Sequence, residues 1–255
     1  MTDLPDAFLR RPIAHRALHD VADGRPENSR AAIRAAITAG YGIEIDLQLS
    51  RDGRAMVFHD DDLDRLTEAA GPVRQRDAAD LRAIALRGGD EGIPDFAEVL
   101  DLVAGRVPIL VELKDQHGQM GENDGGLEGA AVLDLAGYAG PVALMSFNPH
   151  MVRRVAGLAP GIPRGLVSCD FAPGYWPHLP EAMRARLRAI PDYAAAGCAF
   201  ISHQANDLDR PRVAELKAQG AAVLCWTIRS AAQEAHARKR ADNITFEGYL
   251  AAIPA

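Results

Sequence analysis

A chain of 255 residues can form one large α/β domain or two small ones, and a hydrophobic content of 48% provides for a large core. The net charge of −7 is spread along the chain and argues against nucleic acid or an anionic membrane surface as a partner. The opening Met1-Thr2-Asp3-Leu4-Pro5-Asp6 has neither a basic region nor an apolar stretch, so no signal peptide is expected. No apolar run approaches the length of a membrane span. Cys169, Cys198 and Cys225 lie far apart and lack metal spacing, which predicts reduced thiols in a cytoplasmic protein.

Pro12 to Arg16 reads as a short apolar strand. Asn28 or Ser29 caps a helix through Ala39, and Gly40 stops it. Gly42 to Leu49 is a second strand, followed by a hairpin return at Ala55 to His59. Residues 60–93 form the one long irregular stretch, and loops of that length are usually functional lids or small insertions. A helix over Asp95 to Ala104 precedes a strand at Pro108 to Lys114. Further strands are predicted at Pro141 to Ser146, Arg164 to Ser168, Cys198 to Ser202, Ala222 to Thr227 and Asp242 to Phe246. Helices separate them, near Leu127 to Ala136, from Pro149, near Pro180 to Ala189, over Asp207 to Gln219 and from Ser230. Strands alternating with helices imply a parallel sheet, and eight of them in about 250 residues predict a (β/α)8 barrel, a single domain over residues 1–255 with an insertion at about 60–93. An open doubly wound sheet loses ground because no glycine-rich phosphate fingerprint follows the first strand.

The second strand carries the most chemistry. Ile43-Glu44-Ile45-Asp46-Leu47-Gln48-Leu49 alternates apolar and polar, so Glu44 and Asp46 point the same way. Asp52-Gly53 is a strong hairpin signal, and counting pairs outward from a two-residue turn sets His59 opposite Asp46. In a barrel the chemistry sits where strands end. By this reading His15 and Arg16 close strand one, Glu44 and Asp46 strand two, Glu112 and Lys114 strand three and Ser146 strand four, while Trp226 lies near the end of strand seven. Taken singly, a Glu-x-Asp is commonly a solvated strand face, a histidine a structural one, and Glu112-x-Lys114 a surface ion pair. Independent surface accidents would scatter to both strand ends, and these do not. Three carboxylates, Glu44, Asp46 and Glu112, without a cluster of cysteines or histidines favour a hard cation, Mg²⁺ or Ca²⁺ over Zn²⁺. Arg16 and Lys114 add positive charge suited to a phosphate. His15 and His59 can divide the acid and base roles. Together these describe phosphodiester cleavage.

The motifs Ile13-Ala14-His15-Arg16, Pro26-Glu27-Asn28-Ser29, Glu44-Ile45-Asp46, Asp52-Gly53, His59-Asp60 and Leu63-Asp64-Arg65-Leu66-Thr67 resemble the glycerophosphodiester phosphodiesterase family. The resemblance continues in order through Ile93-Pro94, Glu98-Val99-Leu100, Val111-Glu112-Leu113-Lys114, Ser146-Phe147 and Trp226-Thr227, and so covers nearly the whole chain. It implies a (β/α)8 barrel with a small insertion after the second strand. It also implies one divalent cation, Mg²⁺ or Ca²⁺, on Glu44, Asp46 and Glu112, acid/base work by His15 and His59, phosphate binding by Arg16, Lys114 in the substrate site, and Trp226 against the glycerol. The implied reaction yields sn-glycerol 3-phosphate by attack of the glycerol 2-hydroxyl on phosphorus, followed by opening of the cyclic phosphate by water. Two positions depart from the family pattern. Ala17 stands where glycine is usual, so the loop is expected to differ slightly. Phe246-Glu247 stands where a Thr-Asp pair is usual.

A related phospholipase D-type enzyme acting on lysophospholipid or sphingomyelin shares the barrel, but it would call for an apolar mouth and secretion. A catalytically silent barrel serving as a binding module would have lost a histidine or a metal carboxylate. A zinc amidohydrolase would need His-x-His on strand one, where this chain has His15-Arg16. Of the other histidines only His203, at the end of strand six, is a candidate to line the site. The sequence leaves open the head group, Mg²⁺ against Ca²⁺, which histidine is acid, and the oligomeric state.

Overall fold

In the computed structural model, which describes residues 2–254, the alternation of apolar and polar residues builds one sheet that closes on itself. In chain order the elements are α1 (Ala7–Arg10), β1 (Ile13–Ala14), α2 (Arg30–Ala39), β2 (Gly42–Leu49), β3 (Ala55–Val57), α3 (Ala78–Ala83), α4 (Phe96–Val103), β4 (Ile109–Leu113), α5 (Gly126–Asp134), β5 (Val142–Ser146), α6 (Pro149–Leu158), β6 (Arg164–Ser168), α7 (Glu181–Arg188), β7 (Phe200–Gln204), α8 (Pro211–Ala218), β8 (Ala222–Ile228), α9 (Ala231–Ala237) and β9 (Asn243–Phe246). β1 pairs in parallel with both β2 and β9, which closes the ring, and β3 is antiparallel to the far end of β2. The fold is the (β/α)8 barrel expected from the sequence.

The two faces of each strand divide the core. Ile43, Ile45 and Leu47 of β2, with Ile109, Val111 and Leu113 of β4, pack outward under the helices. Leu110, Ala143, Met145, Val167, Phe200 and Leu224 fill the barrel interior. At Gly165 an added Cβ would stand 2.5 Å from the Phe200 ring, so the missing side chain is what admits that ring to the interior. The interior is stoppered at the strands' N-terminal end by α1, an element the sequence did not signal because four residues show no helical period. Phe8 of α1 joins the interior cluster, and the Asn243 side-chain amide donates to the carbonyls of Phe8 and Arg11.

Several boundaries moved for identifiable reasons. β1 is only two residues long because Arg16 and Ala17 both adopt left-handed angles, φ 51° and 65°, and turn the chain at once. Alanine therefore takes the conformation expected of glycine here, and the loop keeps its tight turn. Ser29 rather than Asn28 caps α2, accepting from the Ala32 amide. The helix expected over Asp207 to Gln219 begins at Pro211, whose missing N–H suits the first helical position. Glu44 and Asp46 lie in mid-strand, because β2 runs on to Leu49.

The hairpin register differs by one from the count made on the sequence. Leu47 pairs with Val57 and Leu49 with Ala55, and the Phe58 amide bonds to Asp46 O. The Ser50 amide donates to Arg54 O around a three-residue loop with Gly53 at φ 80°, so Phe58 rather than His59 stands opposite Asp46. Residues 60–93 fold over this hairpin. Met56 and Phe58 are buried with Leu63, Val73, Leu81 and Ile93 in a satellite core. Among the described residues no helix is long and apolar enough to cross a membrane.

Candidate active site

The period of β2 puts Glu44 and Asp46 on its inner face, and the parallel register sets Asp46 beside Glu112 of β4. The three carboxylates offer oxygens that all lie within 4.8 Å of one another, and all three residues are buried. Burial raises the Glu44 carboxyl well above its ordinary value, and the neighbouring charges of Asp46 and Glu112 add to that. Burial would raise Asp46 too. The positive charge of His59, Lys114 and Arg16, together with a hydrogen bond from Asn28, outweighs it and holds Asp46 far below the usual carboxylate range. Lys114 Nζ stands 2.9 Å from Glu112 Oε1 and 3.4 Å from Asp46 Oδ1. Despite burial, those two carboxylates push the lysine upward and keep it charged. An all-oxygen donor set this close, with one member destabilised as an anion by the others, fits a hard divalent cation.

The left-handed turn after β1 aims the Arg16 amide at Glu44 Oε2, 2.8 Å away, and sends the Ala17 amide to Glu44 O. The Arg16 guanidinium meets Glu27 at 2.7 Å and lies 3.7 Å from Asp46 Oδ2, while its buried Nε has no hydrogen-bond partner. An unpartnered buried donor of that kind suits a phosphate oxygen. Asn28, at φ 59°, donates from Nδ2 to Asp46 Oδ2 at 3.0 Å and receives the Asp46 amide on Oδ1.

Each of the two histidines leans on a carboxylate. His15 Nδ1 is 2.5 Å from Glu247 Oε2, and His59 Nδ1 is 2.6 Å from Asp60 Oδ1. The hydrogen bond with His15, with the His19 ring 3.6 Å away, holds Glu247 far below the usual carboxylate range. Asp60 is likewise lowered, as bonds from His59 and Arg65 overcome its burial. Both partners are therefore acceptors only, so both Nδ1 atoms donate and both Nε2 atoms are left for chemistry. Burial lowers the His15 pKa, partly offset by the bond to Glu247, which favours the neutral ring. Arg65 forks onto both Glu27 and Asp60, tying the Arg16 side of the site to the His59 side.

These groups converge on an inner cavity of about 170 Å³ at the C-terminal end of the barrel. His15, Arg16, Glu44 and Asp46 line it together with His59, Glu112, Lys114 and Trp226, so the residues expected to serve the cation, the proton transfers and the substrate are brought together there. The cavity opens past His59 into an outer one of about 590 Å³. Ser146 is not part of the lining. It is fully buried and donates to Leu113 O. His203 also falls away from both cavities, held by Ser168 Oγ at 2.8 Å and by Asp207. Glu247 and Asn28 had not been singled out as site residues. Glu247 is carried in by the β9 end and Asn28 by its left-handed backbone, and neither has a chemical signature in the sequence beyond its motif. The aromatic wall of the outer cavity was also missed. Phe147, Trp176 and Trp226 come from three separate loops and strands, with Phe147 centred 5.1 Å from Trp176 and 5.6 Å from Trp226.

Comparison with known proteins agrees with this geometry. Residues 15–244 match the model of the glycerophosphoryl diester phosphodiesterase family. A Bacillus subtilis (strain 168) protein named as a candidate glycerophosphodiester phosphodiesterase is 26% identical over 227 residues, covering 86% of each chain. A glycerophosphodiester phosphodiesterase from Caldanaerobacter subterraneus is 31% identical over 151 residues, 56% of this chain and 61% of the relative. Among solved structures, an Oleispira antarctica phosphodiesterase in complex with the product sn-glycerol-3-phosphate superposes with a TM-score of 0.76 at 26% identity, covering 94% of each chain.

Proposed function

The chain belongs to the glycerophosphoryl diester phosphodiesterase family, a family of phosphoric diester hydrolases, and from that premise we propose that it cleaves glycerophosphodiesters to sn-glycerol 3-phosphate and an alcohol with a divalent cation on Glu44, Asp46 and Glu112 and with His15 and His59 as proton carriers. What carries this is the convergence on one small cavity of three clustered carboxylates, two carboxylate-backed histidines and the cations Arg16 and Lys114. A bound Mg²⁺ or Ca²⁺ would supply Lewis-acid stabilisation of the phosphoryl charge.

His15 lines only the inner cavity and favours its neutral form, so it takes the proton of the glycerol 2-hydroxyl on Nε2 as that oxygen bonds to phosphorus. His59 lines both cavities, so it faces the departing alcohol and gives its Nε2 proton to that oxygen as the phosphorus–oxygen bond breaks. In the second half water gives a proton to His59 and bonds to phosphorus, the bond between phosphorus and the glycerol 2-oxygen breaks, and His15 returns its proton to that oxygen. Arg16 meets the developing charge with a preset donor. Trp226 stands beside the glycerol, and Lys114 holds Glu112 and Asp46 in place.

The small volume of the inner cavity, about 170 Å³, suits a glycerol phosphate and supports deacylated diesters over lysophospholipid or sphingomyelin. The strands all belong to one sheet, which supports a single domain, with residues 60–93 as an insertion packed on its hairpin. Three unpaired buried cysteines support a cytoplasmic location. The test is release of glycerol 3-phosphate from glycerophosphodiesters with and without chelator. Chelator should abolish it, Mg²⁺ or Ca²⁺ should restore it, and His59→Ala should lower turnover roughly 10²–10⁴-fold. Full activity in excess chelator would remove the cation from the mechanism.

A further inference from the structure

The inner face of β2 carries a third polar residue beyond Glu44 and Asp46. Gln48 follows Asp46 at the strand's period of two and is buried, yet it belongs neither to the carboxylate cluster nor to the lining of the inner cavity. Its amide is fully engaged. Nε2 donates to the His59 main-chain carbonyl at 3.2 Å and to Asp61 Oδ1 at 2.9 Å. Oε1 accepts from Gln116 Nε2 at 2.8 Å. Gln116 is tied down in turn, since its Nε2 also donates to Lys114 O at 2.9 Å and its Oε1 accepts the Leu49 amide at 3.3 Å. A carbonyl and a carboxylate can only accept, so the partners dictate which way the Gln48 amide faces. Neither an apolar nor an acidic side chain of the same shape could supply its two donors.

The place of these bonds gives them their meaning. The pairing of β2 with β3 ends at the bond from the Phe58 amide to Asp46 O. The chain then leaves the sheet, and among the described residues no main-chain amide reaches the His59 carbonyl. The Gln48 side chain takes that part. One amide group grips residues 59 and 61 and so pinches the turn that carries the Asp60 carboxylate onto β2. Asp60 and Arg65 hold the imidazole from the side of the insertion, while Gln48 holds the backbone from which the imidazole springs. The strand that carries two of the three clustered carboxylates thereby also fixes where His59 stands relative to them. A proton donor has to lie within hydrogen-bond reach of the atom it serves, and a small displacement defeats it.

We propose that Gln48 is a positioning residue for proton delivery to the departing alcohol, acting through the main chain of His59. This rests on the reading of His59 as the group that gives its Nε2 proton to that oxygen as the phosphorus–oxygen bond breaks. The leaving group separates the two claims. Two diesters of glycerol 3-phosphate are compared, one with ethanol, which must take up a proton as it leaves, and one with p-nitrophenol, which leaves as a stable anion and needs none. The measured quantity is kcat/KM, which covers the steps up to that departure and not the later opening of the cyclic phosphate. Gln48→Met keeps the shape and donates nothing. It should lower kcat/KM for the ethyl diester on the order of tenfold and leave the p-nitrophenyl diester within about twofold. The ratio of the two diesters is internal to each protein, so a partly unfolded preparation does not alter it. Gln48→Glu, which keeps an acceptor for Gln116 but turns an oxygen toward the His59 carbonyl and Asp61, should move the ratio the same way. His59→Ala is the reference and should show the same selectivity with a larger loss. An equal fall on both diesters in Gln48→Met, beside a selective fall in His59→Ala, would overturn the role of Gln48 alone. An equal fall on both diesters in His59→Ala would overturn the reading of His59 as the donor to the alcohol, and the role of Gln48 with it.

Discussion

At the scale of single residues, the site is a set of charges that correct one another. Glu44 and Asp46 are chemically alike, equally buried and two positions apart, yet their proton affinities are driven in opposite directions. Asp46 is surrounded by Arg16, Lys114, His59 and the Asn28 amide, whereas the nearest charges to Glu44 include two other carboxylates. Such asymmetry is how adjacent identical groups acquire different work. Glu247 is the least anticipated member. The sequence marks it only as a departure from the usual Thr-Asp pair, but its carboxylate meets His15 at 2.5 Å and is braced by Arg229 from the far side. One more methylene at this position still reaches the ring. Glu247→Gln keeps the shape but can present an amide N–H to His15, which frees the imidazole to take the wrong tautomer. Turnover should fall by about 10²-fold. The affinity for Mg²⁺ by calorimetric titration should stay as it was, since Glu247 touches none of the three clustered carboxylates. A parallel fall in metal affinity would show that Glu247 acts through the cation site instead.

At the scale of elements, the period of two in β2 and β4 was enough to place Glu44, Asp46 and Glu112 on one inner face, because strand periodicity is a property of the sequence itself. Register is not. The hairpin loop holds three residues rather than two, a choice made by Gly53 at φ 80° and the Ser50–Arg54 pairing, and this turned every residue of the return strand by one place. His59 nevertheless enters the cavity, since it lies beyond the last ladder pair, where the chain has left the sheet. The insertion sets its position. Arg65 holds Asp60, Asp60 holds His59, and Glu27 ties Arg65 back to Arg16. α1 and the aromatic wall were illegible for a different reason. The first is barely one turn long, and the second is assembled from Phe147, Trp176 and Trp226, which are scattered over separate elements. Arg65→Ala removes four hydrogen bonds on a half-exposed side chain, so stability should change little. Turnover should fall roughly tenfold as Asp60 and His59 lose their anchor, by analogy with the cost of losing outer partners of functional histidines. Steady-state kinetics beside a thermal melt would distinguish this from general destabilisation.

At the scale of the molecule, the barrel is closed below and open above. Phe8 of α1 is fully buried against Ile13 and the interior residues of the strands, and the Asn243 side chain fastens the carbonyls of Phe8 itself and of Arg11. Phe8→Ala should cost about 3 kcal/mol or more by leaving a void beneath the barrel. That corresponds to a drop on the order of 10 °C in melting temperature, measurable by calorimetry. The stopper also governs traffic. A chamber with one door empties in the reverse of the order in which it was filled. The alcohol, lodged in the outer cavity, stands between the glycerol phosphate and the exit, so it leaves first and the phosphate last. Steady-state inhibition patterns record such a sequence. Glycerol 3-phosphate, which occupies the emptied enzyme, should compete with substrate and raise KM alone. The released alcohol, which can also rebind while the phosphate is still in place, should lower kcat as well.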